Sequence, residues 1–182
     1  MGTSTTVLVR DSRTTVLGVV GFAVALAAAS QVAIPLPGTP VPMTLQPLVV
    51  VLAGLWLGPV AGATSMVLYL LAGAAGLPVF APMGAPGFGR LLGPTGGYLW
   101  AYPVAAFVAG LVVSRRRDFA FRVLAAAAGI AAIHAGGFLQ LLALTGEVKR
   151  ALALGAAPFV LLDVVKVLAA AALSPKTPRA TA

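Results

Sequence analysis

Two charges stand inside an apolar run near the end of the chain: Asp163 and Lys166, in "PFVLLDVVKVLAAAAL" at residues 158–173. Spaced three apart, they fall on one face of a helix. A charge near the centre of a bilayer costs at least about 2.5–3.5 kcal/mol on insertion scales, so such residues usually face a cavity or a partner. The simplest alternative is a self-neutralising structural ion pair. Against it, a purely structural helix would be cheaper with neither charge. If Pro158 lies in the first turn of this helix, Asp163 sits one to two turns below its mouth, at ligand depth. A third charge, Arg90, stands in a Gly-rich loop with six glycines between Gly84 and Gly97. That loop reads as a re-entrant turn packed on helix ends or as a direct ligand contact.

Other chemistry finds little support. No Gly-Lys dipeptide occurs, so a phosphate-binding loop of the Gly-Lys-Ser/Thr kind is excluded, and any pumping energy must come from a partner or an ion gradient. Cysteine is absent, which removes disulfides, thiolate zinc sites and cysteine nucleophiles. His134 is the only histidine, has no acid in its own run, and reads as a helix-packing hydrogen bonder within "AAIHAGGF". No serine lies in a Gly-x-Ser-Gly turn, and the four acids are scattered, so neither proteolysis nor a metal site is expected. No enzymatic activity and no cofactor are expected.

The elements that position these residues follow from composition. Of 182 residues, 60% are hydrophobic and 9% charged, with a mean hydropathy of +1.03. A soluble domain carries roughly a quarter charged residues. The net charge of +8 does not form a nucleic-acid-binding face, because the basic residues sit at the ends of apolar runs. The fold class expected is an all-α integral membrane protein, a single membrane domain over residues 1–182. Six spans are expected at about 16–33, 47–57, 60–76, 94–113, 122–143 and 151–173. The first begins with a signal-peptide-like pattern, but five more spans follow and no cleavage is expected.

The one ambiguity is 47–76, interrupted at Leu57, Gly58 and Pro59. Pro59 opposes a continuous helix, and charge agrees. With six spans and an inside N-terminus, Arg10, Arg13, Arg115, Arg116, Arg117, Arg122, Lys176 and Arg179 lie inside. Only Arg90, Lys149 and Arg150 lie outside. The positive-inside rule therefore places both termini in the cytoplasm. The second span reaches only about 16 Å, half the hydrocarbon thickness. The preceding "PLPGTPVPMTLQP", with five prolines, is too apolar for a solvated linker and fills the remaining depth. Together with residues 76–97 it suggests a lidded pocket that opens outward.

Small residues recur on the first span at Gly21, Ala25 and Ala29, and again at Ala23 and Ala27. This spacing lets backbones approach closely, within the bundle or against another membrane subunit.

Three stretches, "PGTPVPMTLQPLVVVLAGLWLGPVAG", "GLPVFA" and "LLGPTGGYL", followed by the Asp-x-x-Lys of the last helix, resemble the BioY family. These are the biotin-binding S components of energy-coupling-factor (ECF) vitamin transporters. The resemblance covers roughly residues 31–173. It implies six helices in the cell membrane, capture of biotin from outside, and partnership with a transmembrane coupling subunit and two ATPases, which alone use ATP. It also implies docking through small residues of the first helix, a role the Gly21, Ala25, Ala29 stripe matches in kind. Asp163 is the implied acceptor for the ureido N–H groups. Lys166 and Arg90 are implied partners for the carboxylate or the ureido oxygen. Gln46, Thr44, Tyr98, Tyr69 and Phe80 are candidate walls. One departure stands out: where family members often carry Pro-Gly before the acid, this chain has Leu161 and Leu162. Competing readings are an S component for another small anionic vitamin, a lipid-modifying membrane enzyme, and an assembly subunit clamped by Asp163 and Lys166.

Overall fold

The computed structural model describes residues 12–176, so Arg10 and Arg179 of the charge count lie outside the described residues. Each expected span contains helix. The elements are α1 (Ser12–Gln31), α2 (Gln46–Leu57), α3 (Pro59–Ala74), α4 (Gly89–Leu92), α5 (Gly96–Arg115), α6 (Phe119–Thr145), α7 (Val148–Gly155) and α8 (Val160–Leu173). In the proline-rich segment, β1 (Ala33–Ile34) pairs antiparallel with β2 (Met43–Thr44), placing Ala33 opposite Thr44.

Among the described residues, α1, α5 and α6 are long and apolar enough to cross a bilayer, and α7 with α8 makes a fourth such span if taken as one bent unit. Helices α2 and α3 are apolar but shorter. They are separate helices, as Pro59 required. Gly58 makes the turn between them at φ 85°, a conformation that disfavours a side chain, and Pro59 opens α3 where its missing N–H costs nothing.

One expectation is corrected. Residues 151–173 do not form one continuous helix: α7 ends at Gly155, α8 begins at Val160, and their axes differ by 51°. Pro158 explains the break. It has no N–H to donate and its ring disfavours helical geometry at Ala157.

Helix α5 is central, with 61% of its apolar window buried against 17% for α1 and 28% for α6. Small residues bring its neighbours close. A side chain at Gly54 of α2 would stand 2.2 Å from the Ala106 carbonyl oxygen of α5. Large apolar side chains cover much of the outer surface, Leu17 and Leu161 at 72% and 79% exposure among them. Lipid offers these side chains the apolar surroundings that water would not.

At the end where α6 begins, Asp118 caps the helix by accepting from the Phe121 N–H at 3.1 Å. Arg122 donates to the carbonyl oxygens of Ala171 and Ser174 at 2.7 and 3.0 Å, occupying the free carbonyls at the end of α8.

The two small-residue stripes of α1 separate. Ala23 is buried and Ala27 packs against the core, so both serve the bundle and do not form an outer face. Gly21 and Ala25 are exposed, Ala29 is half-buried, and a side chain at Gly21 would meet nothing within 4 Å. The docking expectation therefore narrows to Gly21, Ala25 and Ala29.

Candidate ligand-binding cavity

Helix α8 is apolar outside and charged inside. Val160, Leu161, Val164, Val165 and Leu168 are exposed, whereas Asp163, Lys166, Ala170 and Ala171 are buried. The charges survive because they face a cavity at the end of the molecule that carries the proline-rich and Gly-rich loops. The cavity encloses about 630 Å³ not filled by atoms, its open mouth included.

Its walls come from almost every element. The segment around β2 supplies Val41, Pro42 and Thr44, and the start of α2 supplies Gln46 and Pro47. Phe80 and Ala81 enter after α3, Arg90 from α4, and Tyr98, Leu99 and Tyr102 from α5. Ile133 and His134 project from α6, Phe159 from the break before α8, and Asp163 and Lys166 from α8 itself. The N-terminal turns of α2, α5 and α8 meet here, and their peptide dipoles favour negative charge.

Asp163 and Lys166 face each other, Lys166 Nζ donating to Asp163 Oδ1 at 3.0 Å with both side chains 9% exposed. The other carboxylate oxygen, Oδ2, lies 2.5 Å from His134 Nε2. His134 Nδ1 in turn lies 3.2 Å from the Gly155 carbonyl oxygen, which also accepts from the Tyr98 hydroxyl at 2.7 Å. The break between α7 and α8 leaves that carbonyl available. Glycine lets Tyr98 reach it: a side chain at Gly155 would stand 2.5 Å from the Tyr98 hydroxyl, and one at Gly137 would enter its ring.

Arg90 is 7% exposed and donates one hydrogen bond, to the Ala81 carbonyl oxygen, while its Nε has no partner. Burial lowers its pKa from the ordinary guanidinium value; an arginine side chain stays charged in proteins. It also lines a second cavity of about 730 Å³ between the two loops, which shares Pro42, Arg90 and Thr95 with the first. Arg90 thus stands at the boundary between a vestibule and the inner site. Thr39, in the vestibule wall, donates to the Leu154 carbonyl oxygen at 2.6 Å and ties the proline-rich loop to α7.

Of the eight ligand candidates, Asp163, Lys166, Arg90, Gln46, Thr44, Tyr98 and Phe80 line the cavity. Tyr69 does not. It is 1% exposed, accepts from Gln46 Nε2 at 2.8 Å, and meets the Phe80 ring edge-on at 5.4 Å, so it orients two wall residues from behind. Leu161 and Leu162, at 79% and 36% exposure, point away from the site, and neither side chain lines the cavity. Sequence reasoning missed Tyr102, which is 4% exposed and borders the cavity, and it read His134 as a packing residue. The only signal for His134 was its uniqueness.

An all-helical bundle with an apolar skin and a charged cavity at one end defines a membrane protein built around a small-ligand site. The BioY family model matches residues 3–182. The biotin transporter BioY of Thermotoga maritima is 38% identical over 141 residues, 78% of this chain and 83% of that protein. The probable biotin transporter BioY of Pyrococcus horikoshii is 42% identical over 127 residues, 70% of this chain and 74% of that one. In structure, the chain matches the S-component for biotin from an ECF-type ABC transporter with a TM-score of 0.81 at 22% identity. That match covers 91% of this chain and 92% of the other. The chain belongs to the BioY family.

Proposed function

We infer that the protein binds biotin and serves as the S component of an ECF transporter in the cell membrane. The observation that carries this reading is the buried Asp163–Lys166 pair, set with Arg90 around a small-ligand cavity in a chain of this family. Biotin has two ureido N–H donors, a carbonyl, an apolar body and a terminal carboxylate. Asp163 is the acceptor offered to the ureido N–H groups, with lone pairs left beyond those facing His134 and Lys166. Lys166 and Arg90 are the cations offered to the carboxylate or the ureido oxygen. Phe80, Tyr98, Leu99 and Phe159 supply apolar wall. Equilibrium binding of biotin to the detergent-purified protein should be saturable at micromolar concentration. Its absence overturns the reading.

The proposed topology is one membrane domain of six spans, multi-pass, with both termini cytoplasmic, α2 and α3 each counted as a span and α7–α8 as one bent span. The loop-end cavity then opens outward. Because the chain has no cysteine, single cysteines at Lys149 and Arg116 can be labelled from either side. Lys149→Cys should react from outside and Arg116→Cys only after permeabilisation. In the complex, Gly21, Ala25 and Ala29 are the proposed contact for the coupling subunit, and two partner ATPases supply the energy. The protein itself uses no cofactor in this reading.

A further inference from the structure

His134 faces two atoms that accept hydrogen bonds, the Gly155 carbonyl oxygen at Nδ1 and Asp163 Oδ2 at Nε2. A carbonyl oxygen cannot donate, so the Nδ1 contact requires a proton on Nδ1. Asp163 already accepts from the Lys166 ammonium through Oδ1, so the Nε2 contact requires a proton on Nε2 as well. A neutral imidazole carries one proton and satisfies only one of the two. We propose that His134 is a positioning residue held as an imidazolium at neutral pH, its Nε2 proton fixing Asp163 Oδ2 and its charge facing the anionic ligand, so that capture takes up a proton only above the pH at which the free protein loses it. The inference rests on the biotin reading for its ligand.

The surroundings support a role in binding. From α8, the ring is faced by Asp163 and by Lys166 through it. From α5 it meets the Tyr98 ring at 6.1 Å, and from the α7–α8 break the Phe159 ring at 6.0 Å. The remaining titratable or charged groups around the cavity are Tyr102 and Arg90, and Asp163 is its one acid among the described residues. Without the histidine proton, Asp163 cancels one of the two cations. With it, the cavity holds a net charge of two, matched to a carboxylate ligand. Losing the proton removes one of the two ring donors, from Asp163 Oδ2 or from the Gly155 carbonyl oxygen, and lowers the net charge facing the carboxylate to one. One proton taken up per ligand bound makes affinity fall by as much as tenfold per pH unit once the free protein has lost that proton.

The chain has one histidine, so its imidazole nitrogens can be observed without ambiguity. In detergent-solubilised protein labelled with ¹⁵N-histidine, NMR at neutral pH should show both ring nitrogens protonated. A ring with one bare nitrogen overturns the proposal. Biotin affinity measured from pH 6 to 9 should weaken on the alkaline side in the wild type and lose that slope in His134→Gln, whose amide still donates to Asp163 but does not titrate. A flat wild-type profile, or an equal slope in the variant, also overturns it, because the slope would then belong to Lys166, Tyr98, Tyr102 or Arg90. If the wild type binds no biotin at any pH, the biotin reading fails instead, and the NMR result still decides where the proton is.

Discussion

Arg90 and Arg122 are both buried, at 7% and 5% exposure, and each leaves its Nε without a partner. They stand at opposite ends of α8. Arg122 gives its hydrogen bonds to the Ala171 and Ser174 carbonyl oxygens and lies 5.5 Å over the Phe119 ring, so its charge closes a helix end. Arg90 gives one hydrogen bond, to Ala81, and turns the rest of its guanidinium toward space that two cavities share. A buried cation that ends on carbonyls holds the fold. One that ends on a cavity is available to a ligand.

Five substitutions test that division. Arg122→Met removes two charge-assisted hydrogen bonds, each about 1.5 kcal/mol. It should cost about 3 kcal/mol in stability, seen as a lower melting temperature in detergent, with biotin affinity unchanged in the folded fraction. A loss of affinity without a loss of stability would break the comparison. Asp163→Asn and Lys166→Met should each weaken biotin binding by more than about tenfold, roughly 1.4 kcal/mol, with protein yield retained. If both bind normally and yield collapses, the pair is a structural clamp and belongs with Arg122. Arg90→Gln should weaken binding about fivefold, near 1 kcal/mol, and leave the melting temperature within experimental scatter. Tyr69→Phe, which leaves Gln46 Nε2 without its partner, should change affinity only about twofold. An effect as large as that of Arg90→Gln would place Tyr69 in contact with ligand.

The same division explains what was legible in the sequence. Apolar run length located α1, α2, α3, α5 and α6 but not the short α4, and Pro59 separated α2 from α3, because both signals act within a few residues. Asp163, Lys166 and Arg90 stood out because a charge in an apolar chain needs a local reason. His134 did not, since its partner carboxylate lies 29 residues away on another helix. The break at residues 156–159 was hidden by apolar residues that continue through it, although Pro158 marked the place. Arg122 was read only as a topology marker, because its carbonyl partners are 49 and 52 residues distant. Periodicity did not rank the two stripes of α1, and packing decided between them.

The inverted polarity of α8 also bears on biogenesis. Entering hydrocarbon alone, α8 would bring Asp163 and Lys166 with it, at roughly 5–7 kcal/mol for the two before pairing. It follows α1 to α7 in the chain, so it leaves the ribosome after the walls that will face those charges. Its membrane insertion is thus eased by a bundle already partly assembled. A helix poorly suited to cross a bilayer alone is suited to be the closing stave of this one.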